Sequence, residues 1–135
     1  MIDFGLRMPD FPTDGSSSQA FVAQMDDLLD AARGGFVSAW VADHFVPWAN
    51  FQDPMTATYE CWTTLTYLAG AHKDYLFGNI VLSQSYRPPA LTAKMAATLQ
   101  ELSGGRLVLG LGAGWKKDEY LAYGYDFPPP AQRIH

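Results

Sequence analysis

Short apolar stretches that read as strands begin at about residues 2, 36, 76 and 106 of this 135-residue chain, and a helix-patterned stretch fills every interval. A helix between two strands returns the chain to the same end of the sheet, so consecutive strands run parallel with right-handed crossovers. The recurrence restricts the fold to the α/β class, closed either as a (β/α) barrel or as an open doubly wound sheet. The length suits one domain with a sizeable core. Hydrophobic residues at 48% and charged residues at 17% suit a packed globular chain and argue against disorder.

The elements follow from spacing and from the residues that end them. Ile2 to Met8 reads as the first strand, with Ser18 as the N-cap of a helix carrying Phe21, Val22, Met25, Leu28, Leu29 and Ala32 on one face. Gly34 and Gly35 close that helix, and Phe36 to Ala42 is the second strand. A long polar and aromatic loop, residues 43–58, precedes a helix over Tyr59 to Ala71 whose common face holds Trp62, Leu65, Leu68 and Ala69. Long loops in compact domains are disproportionately functional. Leu76 to Leu82 is a third strand, apolar enough to be buried on both sides. Pro88 and Pro89 open a third helix bearing Leu91, Met95, Leu99 and Leu102, and Gly104 and Gly105 end it. Arg106 to Leu111 is the fourth strand; Lys117 to Tyr123 is a short amphipathic piece, and a further helix begins at Ala131.

Composition removes several functions. The formal charge is −5 and the nine basic residues are scattered, only Lys116 and Lys117 being adjacent, which offers no footprint for a nucleic-acid backbone. Cys61 is the one cysteine, so no intramolecular disulfide forms and no zinc spacing exists; no metal site is expected. No basic leader and no apolar run of membrane length is present, and the expected location is the cytoplasm.

At the exit of the fourth strand, Gly110, Gly112 and Gly114 alternate, at the end of a parallel strand where ligands bind in α/β folds. One reading is a nucleotide-binding Rossmann turn. However, Trp115 stands where the last glycine of GxGxxG belongs, and that fingerprint normally occupies the first βα turn. The alternating glycines read better as one wall of a site for a flat cofactor.

Three motifs then carry a resemblance over essentially the whole chain: WVADHFVPW at Trp40–Trp48, GNIVLSQSYRPPAL at Gly78–Leu91, and SGGRLVLGLGAGW at Ser103–Trp115 continuing into Asp118, Glu119 and Tyr120. The chain resembles the bacterial-luciferase-like flavin and deazaflavin oxidoreductases, nearest the branch that uses coenzyme F-420. The resemblance implies a (β/α)8 TIM-barrel fold. Residues 1–135 would form a partial luciferase-like domain with the first four βα units of a barrel about twice this length. It implies hydride transfer through the deazaflavin F-420, or monooxygenation through reduced FMN, on a small organic substrate. His44 would manage the proton, with Asp43 as a structural orienter, and Trp48 would pack near substrate. Ile80 and Val81 would form a bulge with a non-proline cis peptide behind the ring, where the bare residues read equally as an ordinary buried strand. Asn79 would offer its amide to the ring edge, with Ser83 a weaker candidate of the same kind, and Gly112 and Gly114 would let backbone approach the cofactor. Trp115 stands where some sugar-phosphate-oxidising relatives carry a glutamate acid, so that activity is not implied. His72, near the end of the second helix, reads as a helix-end side chain.

The resemblance also implies a homodimer through the second and third helices, with Trp62 and Tyr67 available for it. A competing reading is a non-catalytic half-barrel that self-associates through its open sheet edges without binding cofactor.

Overall fold

The computed structural model describes residues 2–48, 53 and 55–133. The expected loop 43–58 is therefore described only in part. In chain order the elements are β1 (Gly5–Arg7), α1 (Ser18–Ala32), β2 (Ser38–Val41), α2 (Cys61–Ala71), β3 (Leu76–Asn79) and β4 (Leu82–Ser83). They continue with α3 (Pro89–Ser103), β5 (Leu107–Val108), β6 (Leu111–Gly112), α4 (Lys117–Ala122) and α5 (Pro130–Arg133).

Four parallel strands form one sheet in the order β1-β2-β3-β5, and β4 pairs with β6 in a second parallel pair. Each strand is added beside its predecessor with no reversal. A doubly wound sheet reverses its order at a switch point, whereas a barrel grows in one direction. The order therefore settles which closure applies: this is a partial TIM-type barrel.

The core forms where the helices cover one face of the sheet. Ala39, Val41 and Phe77 are buried there with Phe21, Met25 and Leu29 of α1 and Leu65 and Leu68 of α2. Side chains of this size contribute roughly 1.5–3 kcal/mol each when removed from water. Arg106 ties the end of α2 to the start of β3, donating from Nη2 to the Ala69 carbonyl and from Nη1 to those of His72 and Tyr75. It thus satisfies carbonyls that the last helical turn leaves without partners. His72 is the C-cap of α2, and its Nε2 lies 2.9 Å from Asp26 Oδ1, a helix-end position as expected. No helix among the described residues is long and apolar enough to cross a membrane.

Several local expectations are corrected. The N-cap of α1 is Ser17, whose Oγ accepts the Ala20 N–H at 3.3 Å, and not Ser18. The third strand is not one strand buried on both faces. It breaks at the Ile80–Val81 peptide, which is cis, and those two side chains are 51% and 47% exposed. The fourth strand breaks opposite it, between β5 and β6, because the Gly110 N–H donates to the Asn79 side-chain Oδ1. The backbone ladder then resumes with the Leu82 N–H on the Gly110 carbonyl.

On α3, Leu99 is buried but Leu91 and Leu102 are 49% and 75% exposed, so the expected apolar face meets the sheet only at its centre. Trp62 packs largely into the core, and its remaining surface lines a groove between α2 and α3. Tyr67 is exposed, with its hydroxyl donated to Asp26.

Candidate functional site

The carboxyl ends of β2, β4 and β6 surround a cavity of about 310 Å³, lined by Asp43, His44, Ile80, Val81, Ser83 and Tyr86 on one side. Residues Gly112 to Lys116, with Glu119, line the other. Loops at this end of parallel strands can vary without disturbing the sheet, which is why barrel enzymes place their chemistry there. Of the residues singled out from sequence, the cavity brings together Asp43, His44, Ile80, Val81, Ser83, Gly112, Gly114 and Trp115.

His44 leaves β2 with its imidazole Nδ1 at 3.0 and 3.1 Å from the two carboxylate oxygens of Glu119. Glu119 lies in the first turns of α4 and is completely buried. Its Oε1 also accepts the backbone N–H groups of Phe45 and Val46 at 3.0 and 3.1 Å, and its Oε2 accepts the Tyr86 hydroxyl at 3.0 Å. Burial first, and then the neighbouring Glu119 charge, push the Tyr86 phenol far above its ordinary value, so it stays a donor. Phe45 stacks on Tyr86 with ring centroids 4.4 Å apart, which holds the loop after His44 against the exit of β4. The Trp115 indole, 65% exposed, stands edge-on to His44 at 5.7 Å between centroids.

Asp43, the preceding residue, is spent on structure. Arg87 donates to both of its oxygens at 2.9 Å, and the Ser83 N–H donates to Oδ2 at 2.9 Å. Arg87 also pairs with Glu60, whose carboxylate caps α2 through the N–H groups of Trp62 and Thr63. Burial alone would lower the Arg87 pKa, but its bonds and charges with Asp43 and then Glu60 outweigh that and raise it. One guanidinium thereby joins the exit of β2, the start of α2 and the segment after β4.

Trp48 does not line the cavity. Its ring meets Phe11 edge-on at 6.3 Å and carries the Arg7 guanidinium over it at 5.3 Å. Ser83 is at the cavity, with its hydroxyl engaged by Tyr120 at 2.5 Å. Gly112 and Gly114 line the cavity too, and the space a Cβ would need at each is already held by protein. At Gly112 it would sit 2.5 Å from Val81 Cγ2, and at Gly114 it would overlap the Tyr120 hydroxyl. The glycines are thus required by packing inside the chain.

The residues present fit the ring of a flat cofactor. Ile80 and Val81 offer half-exposed apolar side chains in the cavity wall. Behind them Asn79 is fully buried, and its Nδ2 has no partner among the described residues. Lys116 is the one cation lining the cavity among those residues, and it pairs with Asp118. The fit therefore covers a ring and not a phosphate-bearing tail.

Glu119 and Tyr86 have no role in the sequence reading, although Glu119 lies in the third motif. A usable signal is Glu119 beside Tyr120 just after the glycine wall. An acidic residue on the apolar side of a short helix is rarely buried without partners.

The sequence profile described as luciferase-like monooxygenase matches residues 3–135. An F420-dependent glucose-6-phosphate dehydrogenase of Amycolatopsis mediterranei (strain U-32) is 32% identical over 107 residues, covering 77% of this chain and 31% of that protein. An F420-dependent hydroxymycolic acid dehydrogenase of Mycobacterium tuberculosis (strain ATCC 25618 / H37Rv) is 37% identical over 93 residues, covering 68% and 25% respectively. Among solved structures, an F420-dependent secondary alcohol dehydrogenase in complex with an F420-acetone adduct superposes with a TM-score of 0.76. It is 23% identical, with 97% of this chain and 37% of that one covered, a likeness of fold. The matched region spans between a quarter and a third of the length of these curated relatives.

Proposed function

The chain belongs to the luciferase-like monooxygenase family, and from that premise we propose that it carries the proton-handling half of an oxidoreductase site using the deazaflavin F420, with reduced FMN as the other cofactor the family offers. The observation that carries this reading is His44. One of its nitrogens is committed to Glu119, in a cavity whose wall is the exposed Ile80–Val81 bulge. The bound deazaflavin would supply a hydride acceptor or donor. Ile80 and Val81 would take the flat ring against their side chains, and Asn79 would present its unpartnered amide toward it. His44 would take the hydroxyl proton of an alcohol as it becomes a carbonyl, or return it in the reverse direction. Gly112 and Gly114 would keep the facing wall close. Trp115 beside His44 supports a substrate whose body is apolar rather than a sugar phosphate.

Titration of the chain with F420 and with FMN tests this. Binding of either should perturb its absorbance or fluorescence, and the reading fails if neither changes at high micromolar concentration. In a chain that binds, His44→Ala should keep cofactor affinity within a few-fold while turnover falls by about 10²–10⁴.

Self-association through α2 and α3 belongs to the same proposal. It is supported by the exposed Leu91 and Leu102 and by a groove between the helices lined by Met95, Leu99 and Leu102. Leu102→Glu should reduce the particle size seen in light scattering; an unchanged size removes this interface.

A further inference from the structure

We propose that Glu119 is the positioning residue for His44: it holds the imidazole as the tautomer with its proton on Nδ1, leaving the lone pair on Nε2. This rests on His44 being the group that handles the proton. A carboxylate can only accept, and three of the donors that reach Glu119 are donors in any case: two backbone N–H groups and the Tyr86 phenol. The His44 Nδ1, 3.0 Å from Oε2, can join them only by carrying its own hydrogen. The opposite tautomer would set a nitrogen lone pair against a carboxylate oxygen. The hydrogen bond made by one imidazole nitrogen decides which tautomer the ring adopts.

The same carboxylate also fixes where the ring stands. Its Oε1 holds the N–H groups of the two residues that follow His44, so the backbone leaving His44 and the ring orientation share one anchor. Nearby cations do not compete for it. Arg87 is committed to Asp43 and Glu60, and Lys116 to Asp118. Tyr86 supports the arrangement from the β4 side, and Tyr120 packs against Tyr86 at 4.9 Å while bonding to Ser83.

The test is nitrogen NMR of the imidazole in the ¹⁵N-labelled full chain, without cofactor. Wild type should show His44 protonated on Nδ1. In Glu119→Gln the amide oxygen should stay with the Phe45 and Val46 N–H groups, turning the NH₂ toward Nδ1. The proton should then shift to Nε2. Wild-type His44 protonated on Nε2 overturns the inference, as does a folded Glu119→Gln variant that keeps the proton on Nδ1. Should that variant fail to fold, the wild-type spectrum decides alone. Because the tautomer is read without cofactor or turnover, an absence of F420 and FMN binding would sink the proposed function and leave this result standing.

Discussion

Replacing Arg87 with methionine should destabilise the chain by about 3–5 kcal/mol, the cost of removing one partner from a buried ion pair. Asp43 has a completely buried side chain and would retain a single donor, the Ser83 N–H, for its two oxygens. Methionine keeps much of the packing volume, so the loss measures the uncompensated carboxylate and not a cavity. Glu60 would lose the same partner, but it is partly exposed and still caps α2, so its share is smaller. Urea unfolding of wild type, Arg87→Met and the double variant with Asp43→Asn checks this. The double variant should recover part of the loss, since a neutral amide costs less to bury than an unpaired charge. An Arg87→Met chain as stable as wild type would mean that the link between β2, α2 and β4 is incidental.

Gly114→Ala should cost about 3 kcal/mol through two separate causes. Gly114 has φ of +72°, where an L-residue pays roughly 1–2 kcal/mol. Its Cβ would overlap the buried Tyr120 hydroxyl and lie 2.8 Å from Ser83 Oγ. Overpacking of this kind adds about 1–3 kcal/mol. Gly124 provides the control, with φ of +75° and nothing within 4 Å of a Cβ, so Gly124→Ala should show the backbone cost alone. The excess at Gly114 should shrink when Tyr120→Phe removes the clashing oxygen. Equal losses at the two glycines would show that the chain tolerates the overlap and that the wall can shift.

Much of the architecture was legible because its causes are local. The alternation of strand and helix, the glycines after α1 and α3, and the buried stripe of Phe21, Met25 and Leu29 come from neighbours within a turn or two. Misreadings arose where a partner outside the segment decided the outcome. Leu76 to Leu82 has the composition of a central strand, and residues alone do not distinguish that from the broken strand observed. Only the resemblance placed a cis peptide at Ile80–Val81, where the structure has it. Leu102 has the right spacing for a buried face and lies outside the covered patch. Spacing places Trp62 on the apolar face of the second helix, and the contact of α2 with the sheet puts it in the core.

The sequence by itself determined the α/β class, the parallel strands, the family and the position of His44 at the exit of a strand, since periodicity and three ordered motifs carry all of these. The tertiary structure shows the strands adding in one direction, the partial barrel that the resemblance implied and periodicity left open. It alone set the duty of each charged group. His44 meets Glu119 across 75 positions, Asp43 meets Arg87 across 44, and Tyr86 reaches Glu119 across 33. A buried charge is tolerable only beside its partner, and that partner is chosen by which loop ends the fold gathers at one face, which no local pattern in the chain records.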